Sequence, residues 1–174
     1  MSKEEKIIFW IIDVDGTLTD STLYYDEHGN EIKKFSVKDA AGMFAAQACG
    51  MKLAVVTGRQ CEANRRRMEE LKVDYLFQGI KNKHRFLQDL LTEKNLCREQ
   101  VGYIGDDLND LLPMQMAGYI ACPKDACDEV KNIADYVSAF NGGQGAVRDV
   151  LAHVLKVRGQ WEKAVAQVFG ESGI

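Results

Sequence analysis

The segment IIFWIIDVDGTLTD spans residues 7–20. It begins with an apolar run of strand length, residues 7–12, which is followed by Asp13, Asp15 and Gly16. Such a continuous apolar run is typical of a central strand in a parallel sheet that is covered on both faces. Asp13 and Asp15 follow it one residue apart, so an extended backbone would direct both carboxylates to the same side. Gly16 lets the chain turn sharply there. Because Asp and Gly also populate ordinary turns, this segment alone leaves a polar turn and a reactive site equally open.

Four more apolar runs follow, with helical segments between them. The predicted strands are Ile7–Ile12, Leu53–Thr57, Tyr75–Phe77, Val101–Ile104 and Tyr119–Cys122. The predicted helices lie over about Lys38–Cys49, Cys61–Leu71, Lys83–Lys94, Leu108–Ala117 and Asp125–Asn132. This alternation predicts an α/β fold, a Rossmann-like parallel sheet with helices on both faces.

Two segments depart from the alternation. Thr22–Tyr25 and Glu31–Phe35 flank the turn-rich DEHGN and predict a protruding β-hairpin over about 22–35. Near the C-terminus, 141–145 is predicted to be a flexible glycine joint before helices over Ala146–Val157 and Trp161–Phe169. The tail, about 159–174, could close over the active site or simply pack on the core, and the sequence leaves both readings open.

Composition limits the class of protein. The 174 residues, of which 46% are hydrophobic, predict one domain over 1–174 with a sizeable core. A net charge of −4 without an obvious basic face disfavours a nucleic-acid partner. The first apolar run is far shorter than the roughly 20 residues that span a bilayer, and acidic residues flank it, so we expect a cytoplasmic protein without a membrane partner. The five cysteines are scattered and are interpreted as reduced thiols.

Polar clusters follow the later predicted strands. Thr57-Gly58-Arg59 ends the second strand, Lys83 opens the helix after the third, and GDDLND, residues 105–110, follows the fourth. Carboxyl ends of parallel strands meet at one edge of a sheet, so these clusters should converge on the aspartates that follow the first strand. Each cluster alone is explained by turns or helix capping, but their joint placement favours a site that handles phosphate.

In their order and spacing, these four clusters resemble the motifs of the haloacid dehalogenase-like hydrolase superfamily. The resemblance implies that Asp13 is the nucleophile that takes up a phosphoryl group. Asp15 would protonate the leaving alcohol and then activate water. Thr57 and Lys83 would bind the transferring phosphoryl group.

The same resemblance implies a magnesium cofactor. Mg²⁺ prefers oxygen ligands, which Asp13, the backbone carbonyl of Asp15, and Asp106 would supply. Asp107 and Asp110 would orient waters or the catalytic lysine without binding the metal directly.

The spacing of the motifs leaves no room for a cap domain. Asp13 and Thr57 are 44 positions apart, Thr57 and Lys83 are 26 apart, and both intervals must also hold core elements. The chain therefore resembles capless members of the superfamily, which shield the reaction by oligomerising.

Further stretches resemble one group of capless enzymes. Gly29-Asn30-Glu31, Val37-Lys38-Asp39 and the segment 142–148 are similar to motifs of the phosphatases that act on 3-deoxy-D-manno-octulosonate 8-phosphate in lipopolysaccharide biosynthesis. The resemblance implies a small-molecule sugar phosphate as substrate and a homotetramer with active sites at the subunit interfaces.

The resemblance also implies a set of substrate-binding residues, namely Lys38, Asp39, Gly58, Arg59 and Arg67. A guanidinium suits a substrate carboxylate. Arg59 favours an eight-carbon sugar acid, since some relatives that act on nine-carbon acids carry Glu there. The alternatives are a nine-carbon keto-deoxy sugar acid 9-phosphate as substrate and a non-catalytic tetramerisation module, which should have lost a catalytic carboxylate or the lysine.

Overall fold

A six-stranded parallel sheet forms the centre of the molecule. The computed structural model describes residues 2–170 and orders the sheet β5–β4–β1–β6–β7–β8, with β2 and β3 forming a separate antiparallel pair. The strands are β1 (Phe9–Ile12), β2 (Tyr24–Tyr25), β3 (Glu31–Ile32), β4 (Lys52–Val56), β5 (Tyr75–Phe77), β6 (Val101–Ile104), β7 (Tyr119–Cys122) and β8 (Tyr136–Val137). Neighbours in the large sheet are parallel throughout, which confirms the predicted fold class.

Helices occupy the connections between the strands. They are α1 (Lys3–Lys6), α2 (Val37–Ala48), α3 (Glu62–Glu70), α4 (Lys83–Glu93), α5 (Leu111–Met114), α6 (Asp128–Ile133), α7 (Ala146–Val157) and α8 (Trp161–Phe169). The predictions for α2, α3, α4, α7 and α8 are confirmed to within one residue at each end.

Two predicted helices are shorter in the structure. The segment predicted as Leu108–Ala117 is a 3-10 turn over Leu108–Asp110 followed by α5, because Pro113 has no amide hydrogen to sustain a long helix. The helix predicted from Asp125 begins at Asp128, because the Asp125 carboxylate accepts from the Gly142 amide at 2.9 Å. Strand β8 was not predicted, since two residues carry no periodic signal.

Side chains of the central strands alternate between two cores. Trp10 and Ile12 of β1 face the core beneath α2, α3 and α7, whereas Phe9 and Ile11 face the core beneath α4, α5 and α6. All four are buried. Burial on both faces explains why the strand is apolar at every position.

The order of the strands places the site. The chain leaves β1 towards β4 and β5 on one side, and returns to β6 and β7 on the other. The loops after β1 and β6 therefore diverge and leave a crevice at the carboxyl edge of the sheet.

The predicted hairpin is present, with shorter strands than expected. Tyr24 pairs with Ile32, and the Asp26 carboxylate closes the turn by accepting from the amides of His28 and Asn30 at 2.9 and 2.8 Å. Leu23, Tyr24, Tyr25 and Ile32 are exposed.

The glycine segment at 141–145, predicted to be a flexible joint, lies close against the loop after β1. A Cβ on Gly142 would lie 1.9 Å from the carbonyl oxygen of Gly16, and one on Gly143 would lie 2.7 Å from the Asp20 amide. These glycines therefore permit close packing on the loop after β1. Beyond them α8 packs against α2 and buries Ala164. The part of the tail up to residue 170 thus packs on the core, while residues 171–174 lie outside the described chain.

Two further expectations concern the cysteines and the membrane. All five cysteines are free, as interpreted from the sequence. Within residues 2–170, the structure contains no helix with the length and apolarity that a bilayer crossing requires.

Candidate active site

The loop after β1 wraps tightly around one carbonyl group. The Val14 carbonyl accepts from the amides of Thr17, Leu18 and Thr19 at 3.2, 2.9 and 3.0 Å. Gly16 has φ 98°, and a Cβ there would lie 1.9 Å from a carboxylate oxygen of Asp106. Only glycine therefore allows the loops after β1 and β6 to come this close.

A buried lysine joins two of the aspartates. The Lys83 Nζ lies 2.6 Å from Asp13 Oδ1 and 2.8 Å from Asp110 Oδ1, and all three side chains are buried. Lys83 is the first residue of α4, whose N-terminus is capped by Asn82 accepting from the Arg85 amide at 3.0 Å. The cap fixes where the helix begins, so it also fixes the lysine over the end of β1.

Asp110 occupies the centre of a hydrogen-bond network. Its carboxylate accepts from the Tyr103 hydroxyl at 2.7 Å and from the Asp106 amide at 3.2 Å, in addition to Lys83. Asp106 accepts from the Thr17 hydroxyl at 3.1 Å. These contacts fix the orientation of the buried carboxylates.

Three buried carboxylates form a cluster that suits a divalent cation. Ligand atoms of Asp13, Asp106 and Asp110 lie within 4.8 Å of one another. Burial raises the pKa of Asp13 to about 7, and Asp110 adds to the rise while Lys83 opposes it. Burial, with Asp13 and Asp110 as neighbours, raises the pKa of Asp106 to about 8. One lysine does not balance three carboxylates, and an all-oxygen donor set fits a hard cation such as Mg²⁺.

The cluster agrees only in part with the predicted metal ligands. Asp13 and Asp106 belong to both sets, but Asp110, which was predicted only to orient other groups, supplies the third carboxylate. The predicted contribution of Asp15 is its backbone carbonyl, which stays a prediction. Asp107 caps the 3-10 turn by accepting from the Leu108 amide at 2.8 Å.

Asp15 points towards the second motif. Its Oδ2 accepts from the Thr57 hydroxyl at 3.4 Å, and the Thr57 oxygen accepts from the Arg59 amide at 3.2 Å. Gly58 lies between these two residues, and its carbonyl accepts from Lys81 at 2.9 Å. The loop after β4 is thereby fixed beside the loop after β1.

These groups open onto a cleft of about 520 Å³. Its lining consists of Asp15, Ser21, Leu23, Arg59 and the segment 106–109. A cleft of this size is typical of a site for a small molecule. The polar lining indicates a polar, charged ligand.

Three of the predicted substrate-binding residues lie elsewhere. Lys38 lines a separate cleft between α2, α7 and α8. Arg67 donates to the Ser36 carbonyl at 3.3 Å and pairs with Glu70 at 3.2 Å. Asp39 is only 1% exposed, and its carboxylate accepts from the Arg148 amide at 3.0 Å at the start of α7. The Asp39 carboxylate is therefore enclosed against a helix terminus, and its predicted contact with substrate stays a prediction.

This placement of Asp39 predicts a pH dependence of stability. Burial raises its pKa from 3.8 to about 6, against the lowering effect of the Arg148 and Val147 amides. The folded chain then holds this proton more tightly than the unfolded chain, so the stability from neutral Asp39 is full below pH 3.8 and is lost as pH rises through about 6. Asp39→Asn cannot ionise and should lack this loss.

Urea unfolding of the wild type and Asp39→Asn between about pH 5 and about pH 8 measures the difference. The unfolding free energy of the wild type, relative to the variant, should fall as pH rises. A difference that stays constant or increases with pH would contradict the buried assignment.

Lys33 was not predicted to belong to the site. Its Nζ contacts Asp15 Oδ1, and its side chain is 1% exposed. The available signal was the alternation of Glu31 and Lys33, which places both on one side of an extended segment. Tyr103 was also missed, because a tyrosine inside an apolar strand is usually a core residue.

Comparisons with known proteins identify the family of this chain. A sequence model of the haloacid dehalogenase-like hydrolases matches residues 76–151. The 3-deoxy-D-manno-octulosonate 8-phosphate phosphatase of Escherichia coli K12 is 36% identical over 167 residues, which is 96% of this chain and 89% of that one. The Haemophilus influenzae enzyme of the same name is 37% identical and aligns over 91% of this chain and 88% of its own length.

Solved structures with a similar fold indicate the same family. The structure of the Moraxella catarrhalis phosphatase of that name, in complex with magnesium, phosphate and KDO, superposes with a TM-score of 0.90. It is 34% identical, and the match covers 94% of each chain. Sequence and fold agree over nearly the whole length, so the chain belongs to the haloacid dehalogenase-like hydrolases, within the family of the 3-deoxy-D-manno-octulosonate 8-phosphate phosphatases.

Proposed function

We propose that the chain is a magnesium-dependent phosphatase that hydrolyses 3-deoxy-D-manno-octulosonate 8-phosphate to phosphate and the free sugar acid. The observation that carries the proposal is the convergence of Asp13, Asp15, Thr57 and Lys83 beside one small cleft. The relatives that share nearly the whole chain carry this activity in their names, which supports the choice of substrate.

Two chemical steps account for the reaction. In the first, the Asp13 carboxylate attacks phosphorus, the bond from phosphorus to the sugar oxygen breaks, and Asp15 gives that oxygen a proton. In the second, Asp15 takes a proton from water as the water oxygen attacks phosphorus, which releases phosphate and restores Asp13. Because attack and departure at phosphorus are in line, this sequence of steps requires a nucleophile on one side of phosphorus and an acid/base beside the leaving oxygen on the other. Asp13 and Asp15, one residue apart at the end of β1, would flank the phosphoryl group in this way.

The remaining residues stabilise charge. Lys83 is held against Asp13 by Asp110, so its ammonium group is in place to bind the phosphoryl oxygens. The Thr57 hydroxyl would donate to the same oxygens. Asp13 and Asp106 would hold the metal, with Asp110 completing the carboxylate cluster. Bound Mg²⁺ supplies positive charge that offsets the repulsion between a carboxylate nucleophile and an anionic phosphate.

Arg59 is the proposed group for the substrate carboxylate. It lies in the cleft with Asp15, and its guanidinium is partly exposed. An arginine can bind a carboxylate through two parallel hydrogen bonds, which gives direction as well as charge. Recognition at both ends of the substrate would select a phosphorylated sugar acid over simpler phosphate esters.

The assembly and cellular setting belong to the same proposal. A hairpin that exposes Leu23, Tyr24, Tyr25 and Ile32 is suited to a contact between subunits. We propose a homotetramer in which this contact covers the clefts, which would exclude water from a site that has no cap. We also propose that the enzyme acts in lipopolysaccharide biosynthesis in the cytoplasm, a role that the proposed substrate supports.

Steady-state kinetics on two substrates test the proposal. With Mg²⁺, phosphate release should show a higher kcat/KM for the eight-carbon 8-phosphate than for a nine-carbon keto-deoxy sugar acid 9-phosphate. EDTA should stop the reaction, and added Mg²⁺ should restore it. A preference for the nine-carbon ester would contradict the substrate assignment. Failure to hydrolyse either ester would support a non-catalytic tetramerisation module.

A further inference from the structure

A lysine of the hairpin is buried against the cleft. Lys33 follows β3, and its Nζ contacts Asp15 Oδ1 and lies 3.6 Å from Glu31 Oε2. The side chain is 1% exposed. Burial of an ammonium group is costly unless carboxylates compensate for it, so the position of this lysine depends on Asp15 and Glu31.

Glu31 extends the contact to the second motif. Its Oε1 accepts from Arg59 Nη1 at 2.8 Å, while Oε2 faces Lys33. The Glu31 side chain is 15% exposed. Charges therefore alternate along Asp15, Lys33, Glu31 and Arg59, from the loop after β1 through the hairpin to the loop after β4.

The neighbouring lysine, on the opposite face of the hairpin, is exposed. Lys34 is 63% exposed and pairs with Asp20 at 3.1 Å, near the surface. Successive residues of an extended segment point to opposite sides, which explains why Lys33 contacts Asp15 and Lys34 does not. The chain thus offers an adjacent lysine as a matched control.

We propose that Lys33 and Glu31 are positioning residues of the active site, Lys33 for the Asp15 carboxylate and Glu31 for the Arg59 guanidinium. The inference rests on the proposed function, in which Asp15 transfers the protons and Arg59 binds the substrate carboxylate. The hairpin of each chain is then part of its own active site, in addition to any role between subunits.

The contacts of Asp15 explain why it needs such support. Its side chain is 28% exposed, and apart from Lys33 it accepts a hydrogen bond of 3.4 Å from Thr57. Without Lys33 this carboxylate could rotate towards solvent and away from the leaving oxygen. A displacement of about 1 Å at a reacting group can cost about 10²-fold in rate.

The two residues should affect different kinetic constants. Lys33 acts through Asp15, so Lys33→Met should lower kcat for the sugar acid phosphate by roughly 10- to 100-fold. Its effect on the first turnover of p-nitrophenyl phosphate should be smaller, because that leaving group departs without a proton, whereas the later hydrolysis of the phosphorylated enzyme depends on Asp15 with either substrate. Glu31 acts through Arg59, so Glu31→Gln should chiefly raise KM for the sugar acid phosphate. KM for p-nitrophenyl phosphate, which has no carboxylate, should stay unchanged.

The experiment compares Lys33→Met, Lys33→Arg, Glu31→Gln and the control Lys34→Met on both substrates, with the magnesium-loaded full chain. Lys34→Met should keep the wild-type constants, and Lys33→Arg should recover part of the kcat that Lys33→Met loses, because the cation is retained. Thermal melting and light scattering establish that each variant is folded and assembled as the wild type. If Lys33→Met does not fold, the inference is tested by the KM values of Glu31→Gln on the two substrates.

Equal constants for Lys33→Met and Lys34→Met would overturn the inference for Lys33. An equal loss in the rate of the first turnover on both substrates would also overturn it, since that pattern indicates a structural role. For Glu31, a KM increase on both substrates would overturn it. A wild-type protein that releases phosphate from neither substrate would instead overturn the proposed function, and this inference with it.

Discussion

Asp13→Asn is expected to lower kcat for the sugar acid phosphate by roughly 10⁴-fold or more, because it removes the atom that attacks phosphorus. An amide has nearly the volume of a carboxylate, so the packing at the end of β1 should survive. Lys83 keeps Asp110 as a partner at 2.8 Å. The variant also relieves crowding among three buried carboxylates, so the melting temperature of the metal-free protein should be equal to or higher than that of the wild type.

Asp128→Asn is a suitable control for this experiment. Asp128 lies on the exposed first turn of α6, where its side chain is 94% exposed. The same chemical change there should leave kcat and KM as in the wild type. Mass spectrometry should first establish that the introduced Asn has not deamidated to Asp. A kcat of Asp13→Asn within tenfold of the wild-type value would then contradict the nucleophile assignment.

Asp15→Asn is expected to lower kcat on the sugar acid phosphate by about 10²- to 10⁴-fold, which is the usual range for the loss of a general acid/base. The variant should behave differently with p-nitrophenyl phosphate. Transfer to Asp13 should still occur, because that leaving group needs no proton, but hydrolysis of the phosphorylated enzyme should be slow because no group activates water. A burst of nitrophenol followed by slow turnover is the expected time course.

The same variant separates the acid/base role from a structural one. A structural defect at Asp15 would slow both substrates equally and would produce no burst. Circular dichroism should match the wild type, while the melting temperature should fall slightly, because the buried Lys33 ammonium keeps only Glu31 as a carboxylate partner.

Much of the fold could be predicted because the sheet is buried on both faces. Continuous apolar runs in the sequence are sufficient to identify β1, β4, β5, β6 and β7. The two-residue strand β8 and the short helices α5 and α6 were missed or misplaced, because local contacts determine their ends. One example is the hydrogen bond from Gly142 to Asp125.

The site divides in a similar way. The topology alone brings together the four predicted catalytic residues, because each lies at the end of a predicted strand or the start of a predicted helix. They are Asp13, Asp15, Thr57 and Lys83. Asp110 could not be placed among the buried carboxylates from spacing, because its inward orientation depends on Tyr103 and the Asp106 amide. Lys33 could not be identified because its burial depends on tertiary contacts of the hairpin with Asp15.

Two of the predicted substrate-binding residues make contacts within the chain that the sequence did not indicate, and their contacts with substrate stay predictions. Asp39 matches a family motif, yet here it accepts a backbone hydrogen bond at the start of α7. The Arg67 guanidinium donates to the Ser36 carbonyl and forms an ion pair with Glu70. A sequence motif records which residue is present, whereas the contacts determine what that residue does in the single chain.

The most direct test of the central claim is the mass of Asp15→Asn protein after it is mixed with p-nitrophenyl phosphate and Mg²⁺. We predict the addition of one phosphoryl group per chain, mapped to Asp13 by peptide analysis and removed by hydroxylamine, as expected for an acyl phosphate. A phosphoryl group on any other residue, or an unmodified chain that has nevertheless released nitrophenol, would contradict catalysis through Asp13.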